Sequence, residues 1–261
     1  MKKKAVIIIP TYEEAASIEQ TIHEVFAACQ DIQDKCIHLL IFDSHSQDET
    51  AALVAQLQTQ YAMLHLQVEP QKTGLGSAYR QAMQYALDVL HADFIVEFDA
   101  DLSHSPTYLP EMLRLIEDHD VVLASRYVSN GGIDAHWPWY RLWLSTLGNY
   151  VARCLLAWDY HDFTSGFRVT RGPLLRDVLP TQFLSNHYAY KIELMWLLIQ
   201  HGAKILEYPF VFVDRTLGHS KLPKNTIFDS LYVIFRLRLK KIFGFFEPTQ
   251  NTSRADESHD N

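Results

Sequence analysis

Residues 94–106 read FIVEFDADLSHSP, an apolar run that ends in two acids one residue apart. The run has the length and residue types of a buried strand. Alternate side chains of an extended chain share a side, so Asp99 and Asp101 project together at its end. Two like charges that close repel. Two readings meet the pattern. Acids, Ser103 or Ser105 and Pro106 suit a helix start, where the dipole favours negative charge. Alternatively the pair holds a cation, and hard oxygen ligands at short spacing suit Mg²⁺ or Mn²⁺. Capping accounts for the serines and the proline but not for two acids around Ala100.

Outward from this strand, apolar runs alternate with helical patterns. Strands are predicted at 5–10, 38–43, 64–69, 94–99 and 121–126. Helices are predicted over IEQTIHEVFAACQ, from about Asp48, from about Gly76 and near 107–117. This alternation predicts an α/β fold with a mainly parallel sheet covered on both faces. Ligands of such sheets bind at the C-terminal strand ends. Polar residues recur there, at Thr11 to Glu14, Asp43, Asp99, Asp101 and Arg126.

The second half differs. Residues 130–158 hold four of the five tryptophans. DFTSGFRVTRG reads as a strand or loop unit, and HYAYKIELMWLLIQHG as a helix ended by Gly202. AKILEYPFVFVDR reads as a strand pair or a strand bent near Pro209. The expected organisation is a domain over 1–224, an amphipathic helix over 225–246 and a polar, disordered tail over 247–261.

Composition excludes several classes. The 261 residues, 48% hydrophobic, suffice for one sizeable core. A formal charge of −8 argues against a general nucleic-acid binder. Cys29, Cys36 and Cys154 show no metal-ligand spacing and read as reduced thiols. The run in MKKKAVIIIP stops at Pro10 and reads as a first strand, not a signal peptide. No window approaches the ~20 apolar residues of a spanning helix.

The stretches PTYEEAASI, IFDSHSQDET, PQKTGLGSAYR, DADLSH, ASRYVSNGG, DFTSGFRVTRG and FVDRTLGHSK occur in that order. Together they resemble the family 2 glycosyltransferases, and among them the dolichyl-phosphate (polyprenyl-phosphate) mannose synthases, over residues 5 to about 222. The resemblance implies a GT-A type nucleotide-sugar fold. It implies that Pro10, Tyr12 and Glu14 belong to the first donor-binding motif, and Ile41 and Asp43 to the strand end that recognises the base. Asp99, Ala100 and Asp101 match the acidic motif. There Asp101 is the main metal ligand, Asp99 holds metal or sugar, and Ser103 takes a further metal-site position. Arg126, Arg215 and Lys221 match basic residues that hold phosphates and, with Asp101, form the expected catalytic set. Two departures stand out: Ser44 replaces a second acid, and Glu49 replaces a glycine. YEEAAS also departs from the usual Tyr-Asn-Glu-x-x-Asn, keeping Glu14.

The implied reaction is metal-dependent, inverting transfer of mannose from GDP-mannose to a polyprenyl (dolichyl) phosphate. A UDP-sugar donor is the close alternative, and a non-catalytic nucleotide- or membrane-binding module the distant one. A lipid phosphate is already ionised near neutral pH, so it needs cations rather than a general base. Arg126 and Arg141 are candidates for holding it, with Ser145 a donor; a snorkelling Arg141 is the plainer alternative. Tyr12 is suited to stack on a base or to pack. His104 and His161 are weighed as bases against capping or structural roles. KTGLG lacks the Gly-Lys-Ser/Thr ending of a phosphate loop, so its glycines are read as a tight turn. Trp137, Trp139, Trp143 and Trp158 cluster in sequence. Residues 227–246 mix Phe228, Tyr232, Phe235, Phe243, Phe245 and Phe246 with Arg236, Arg238, Lys240 and Lys241. That composition suits an interfacial helix or a docking face for a small membrane protein, against a core-packed helix as the alternative. The expected location is peripheral, on the cytoplasmic face of a membrane.

Overall fold

Ala5 to Ile9 have no exposed surface. An apolar run without alternation belongs to a strand covered on both faces, and that strand is the centre of the sheet. The computed structural model describes residues 2–134, 139–213 and 226–244. Its elements begin β1 (Lys3–Thr11), α1 (Ile18–Cys29), β2 (Lys35–Asp43), α2 (Thr50–Leu57), β3 (Leu64–Val68), α3 (Leu75–Asp88) and β4 (Phe94–Glu97). A 3₁₀ turn at Pro106–Tyr108 leads into α4 (Leu109–Leu115), followed by β5 (Val121–Ser125), β6 (Gly132–Ile133) and α5 (Trp139–Leu155). The remainder is β7 (Arg168–Arg171), α6 (Gly172–Val178), α7 (Tyr190–Gln200), β8 (Ile205–Pro209), β9 (Val211–Phe212) and α8 (Thr226–Ile242).

The seven-stranded sheet runs β3-β2-β1-β4-β7-β5-β8. Neighbours are parallel except around β7, which is antiparallel to both β4 and β5. Strand order therefore reverses between β1 and β4. That is the switch point where a crevice opens at the C-terminal ends. The loop after β1 and the acids after β4 flank it. The expected mainly parallel α/β architecture is present, with the five predicted strands in place. The strand-or-loop unit is resolved as β7, and the bent strand as β8 and β9 with Phe210 between them. β9 pairs with β6 in a separate two-stranded sheet.

Successive residues of β1 feed opposite layers. Ile7 and Ile9 face α1, α2 and α4 through Ile22, Val54 and Met112. Val6 and Ile8 face α3, α6 and α7 through Tyr79, Leu175 and Leu194. A third cluster joins α5, α7 and α8 through Ala152, Trp196, Val233, Ile234 and Leu237. Among the described residues no helix is long and apolar enough to cross a membrane. Trp137, Arg215, Lys221, Phe245, Phe246 and the tail 247–261 lie outside the described residues.

Candidate active site

The acidic strand end is held from three directions. Phe98 N–H donates to the Ile8 carbonyl of β1 at 3.1 Å. Tyr79 Oη on α3 donates to the Phe98 carbonyl at 3.1 Å, and Thr21 Oγ1 on α1 to the Ala100 carbonyl at 2.8 Å. The backbone around Asp99 and Asp101 is thus fixed by both helical layers. Asp101 Oδ1 accepts the Ser103 amide at 3.1 Å. Ser105 caps the 3₁₀ turn by accepting from the Thr107 amide, with Pro106 in the first turn. Both readings of the motif therefore apply, to different residues: serine and proline start the turn, and the acids precede it. Leu102 takes a left-handed φ of 57°, Glu13 of 55° and His45 of 60°. Such angles cost energy in non-glycine residues and cluster at functional sites. These three lie in the loops after β4, β1 and β2, all on the crevice.

The loops after β1 and β2 are laced together. Asp43 is fully buried. Its carboxylate accepts from Thr11 Oγ1 at 2.9 Å, Ser46 Oγ at 2.6 Å and the Ser46 amide at 2.8 Å. Ser46 Oγ also accepts the Glu13 amide, Thr50 Oγ1 the Glu14 amide and Asp48 the Ala15 amide. Asp43, expected at the base, thus holds the loop that would frame a base. Glu14 accepts from Ser17 at the entrance to α1. Ile41 is fully buried and packs in the core, and Pro10 pairs with Phe42 in the sheet. Tyr12 has the Lys72 ammonium 3.1 Å from its ring centroid, so one face already carries a cation. Glu69 fastens the following loop by accepting from Thr73 Oγ1 at 2.8 Å. Gly74 has φ +109°, and a Cβ on Gly76 would sit 2.8 Å from the Ser185 carbonyl. The two glycines thus serve a turn and a close approach.

The cationic side is a ring of buried bonds. Arg126 and Asp162 are 6% and 0% exposed, joined through Nε–Oδ2 and Nη2–Oδ1, both at 2.8 Å. Burial alone would lower the Arg126 pKa, but the Asp162 carboxylate outweighs it and holds the pKa above its ordinary value. Arg126 also donates to Thr164 Oγ1 at 2.7 Å. Asn149 on α5 donates to the same hydroxyl and accepts the Phe163 amide at 2.9 Å. Tyr127 Oη donates to Ser145 Oγ at 2.8 Å. The structure thus joins Arg126 and Ser145 through Tyr127. Arg141 lies earlier on α5, and its side chain is outside the described residues.

The two histidines differ: His161 is paired, whereas His104 Nδ1 is buried with no hydrogen-bond partner among the described residues. His104 is buried among Phe98, Phe167, Phe210 and Phe212, and burial lowers its pKa. His161 Nδ1 pairs with Glu207 at 2.8 Å. Two residues escaped sequence reasoning: Asp162, inside a motif quoted whole, and Lys191, whose ammonium lies 4.0 Å from Asp99 Oδ2. A lysine set between Tyr190 and Ile192 in the largely apolar helix YKIELMWLLIQ was the available signal.

The donor set suits a hard divalent cation. Among the described residues no group of three His, Cys, Asp or Glu is placed to hold a metal. Asp99, with its side chain 29% exposed, and the half-buried Asp101 place two carboxylates just after the C-terminal end of β4. Ser103 is buried and turns its amide to Asp101. An Mg²⁺ or Mn²⁺ held by two carboxylates keeps positions for phosphate oxygens and water, the usual arrangement for such ions.

A family model described as glycosyl transferase family 2 matches residues 6–179. The polyprenol monophosphomannose synthase of Mycolicibacterium smegmatis is 33% identical over 234 residues, 89% of this chain and 86% of the relative. The undecaprenyl-phosphate mannosyltransferase of Micrococcus luteus is 30% identical over 233 residues, 89% of this chain and 93% of the relative. Among solved structures, glucosyl-3-phosphoglycerate synthase from Mycobacterium tuberculosis, in complex with Mn²⁺, UDP and glucosyl-3-phosphoglycerate, superposes with a TM-score of 0.61. It is 17% identical, and the match covers 93% of this chain and 80% of that one, a likeness of fold.

Proposed function

The chain belongs to glycosyl transferase family 2 and is a glycosyltransferase, and from that premise we propose that it transfers mannose from GDP-mannose to a polyprenyl phosphate at a membrane surface. Both relatives, by name, join mannose to a polyprenyl phosphate. The observation that carries the reading to this chain is the double use of α5. One face, with Ser145 and Asn149, bonds to Tyr127 and the Arg126 loop. The opposite face presents Trp139, Trp143, Leu147 and Tyr150 to solvent. A single helix therefore connects the phosphate side of the crevice with an exposed apolar surface, as a lipid-phosphate acceptor requires.

Helix α8, packed beside α5, carries a second exposed apolar stripe. Phe228, Tyr232, Phe235, Leu239 and Ile242 are exposed. At about 100° per residue they fall within about 80° of arc, with Arg236 and Arg238 about 80° to either side. Val233, Ile234 and Leu237 point the other way into the core. Aromatics with basic flanks suit the interface of an anionic bilayer. Large exposed apolar surface marks an interaction site. A small membrane-protein partner would compete for the same face.

The lipid phosphate attacks the anomeric carbon, the bond from that carbon to the GDP oxygen breaks, and configuration inverts in one displacement. Asp101 would hold the divalent cation, with Asp99 beside it. Such a cation would stabilise charge on the departing diphosphate. Arg126 would bind phosphate oxygens while Asp162 fixes its guanidinium plane. Tyr12 and the laced loops 12–17 and 44–50 would frame the guanine, with Arg215 and Lys221 adding positive charge. Calorimetry with GDP and UDP in the presence of Mn²⁺, followed by transfer of labelled mannose to a short polyprenyl phosphate, tests the reading. GDP should bind more tightly, and equal or tighter UDP binding would replace the donor.

A further inference from the structure

Lys191 stands in the first turn of α7, and its side chain is 3% exposed. No role above uses it. The ammonium lies 4.0 Å from Asp99 Oδ2 and 4.6 Å from the Tyr188 ring centroid. Gly166 makes the room: a Cβ there would fall on the ammonium nitrogen and come within 3.5 Å of Asp99 Oδ2. Tyr188 is fixed by its hydroxyl, which donates to the Thr164 carbonyl at 2.6 Å. The socket is therefore walled by the same loop, 162–167, whose Asp162 holds Arg126. Burying an ammonium costs several kcal/mol unless a counter-charge offsets it. The aromatic face and Asp99 supply that offset.

A fixed cation beside Asp99 competes with any metal for the same carboxylate. We infer that Lys191 is a positioning residue that holds the Asp99 carboxylate back from the metal position, so that Asp101 alone anchors the cation until the donor diphosphate supplies further ligands. The metal then arrives with the nucleotide instead of residing in the empty enzyme, and Asp99 is left to orient the donor. This rests on the metal-dependent reading above and adds the order in which metal and donor bind.

The test is Mn²⁺ calorimetry on the full chain, with and without GDP, for the unaltered protein, Lys191→Gln and Lys191→Met. Removing one unit charge from beside Asp99 should tighten Mn²⁺ binding without GDP by about three- to tenfold. The gain that GDP gives should shrink correspondingly, and turnover at saturating Mn²⁺ should fall. Gly166→Ala, which displaces the ammonium, should tighten Mn²⁺ as well. The double variant Gly166→Ala/Lys191→Met should add nothing further, since both changes act through one contact. Unchanged or weaker Mn²⁺ affinity in folded Lys191→Gln would overturn the inference. So would unfolding of both Lys191 variants, which would make the ammonium structural. If the unaltered chain binds no Mn²⁺ even with GDP, the metal reading itself fails. If it binds Mn²⁺ and the variants match it, only the role of Lys191 fails.

Discussion

Glu97 and Asp99 are two residues apart on one strand end and meet opposite fates. Glu97 is 1% exposed; its carboxylate accepts from Arg168 Nε at 2.6 Å and from Tyr190 Oη at 3.0 Å. Asp99 faces the crevice, with Lys191 at 4.0 Å and His104 at 3.7 Å from the same oxygen, both beyond hydrogen-bond reach. The first acid is sealed by short bonds and belongs to the sheet. The second keeps part of its side chain exposed, with the Lys191 ammonium and the buried His104 ring near one of its oxygens. Burial, rather than residue type or spacing, separates the carboxylate sealed in the sheet from the one that reaches the surface. Helix α8 repeats the contrast with apolar groups: Val233, Ile234 and Leu237 are sealed, while Phe228, Tyr232 and Phe235 are open.

Exchanging the two acids' consequences would break the comparison, and the largest effect is expected at Asp101. Asp101→Ala should lower mannose transfer by about 10²–10³-fold. It should change stability by less than about 1 kcal/mol, since the side chain adds nothing to the apolar core. Rate measurement and urea unfolding on the same preparation check both halves. A variant that unfolds would move Asp101 to the sealed class.

Glu97→Ala should do the reverse. It leaves the Arg168 guanidinium, 1% exposed, without its counter-charge. Stranding one member of a buried pair costs about 3–5 kcal/mol. A lower urea midpoint, with GDP affinity retained by the fraction still folded, is the expected result.

Glu193 sharpens the comparison, being sealed without a bonded cation. It lies on α7, 4% exposed, and accepts the Leu184 amide at 2.6 Å. Burial pushes its carboxyl up to about 7. A raised folded pKa means that the native state binds the extra proton between the unfolded value, 4.5, and about 7. Stability should therefore decline as pH rises through that window and stay lower above it. The loss should be about 2–3 kcal/mol. Urea unfolding at pH 5 and pH 8 measures it, and Glu193→Gln should flatten the difference.

These pairs also show where the sequence stops informing. Continuous apolar runs announce buried parallel strands, so the sheet and its crevice were legible from β1, β2, β4 and β5. The acids of DADLSH were legible because they break such a run. β7 was ambiguous because RVTR is four residues long with an arginine at each end, so no apolar period marks it. Its Arg168 meets Glu97 across 71 positions, and Arg126 meets Asp162 across 36. Such partners follow from strand order, which composition does not encode. The motif places Asp43 at a strand end, which makes it a candidate base contact in the sequence. Only the fold shows the bonds it accepts from Thr11 and Ser46. In α8 the inner and outer stripes interleave along one helix, so sequence alone left core packing and membrane contact as rivals. The structure has the inner stripe in the core, and the outer stripe is a separate question.

That separation decides how the membrane proposal is tested, and it carries the smallest expected effect. Deleting α8 would remove Val233, Ile234 and Leu237 from the core and expose their neighbours Ala152 and Trp196, so loss of function would follow from unfolding alone. Point changes on the outer stripe avoid this. Phe228 is 75% exposed and Phe235 53% exposed, so their replacement leaves the core intact. Phe228→Ser/Phe235→Ser removes two aromatic anchors and should weaken association with anionic vesicles by about tenfold, given ~1.5–3 kcal/mol for full burial of each side chain and only partial insertion. Arg236→Gln/Arg238→Gln should weaken it by a similar factor at low salt and by less at high salt, because screening already removes that share. Flotation with vesicles of stated phosphatidylserine content reads both, and GDP binding should be unchanged in both double variants. Transfer to a short, water-soluble polyprenyl phosphate should also be spared, while transfer to a long-chain acceptor in vesicles falls. Unaltered flotation of the double-phenylalanine variant would mean that the open stripe meets something other than lipid, and the likeness between α8 and the Glu97–Asp99 strand end would lose its functional half.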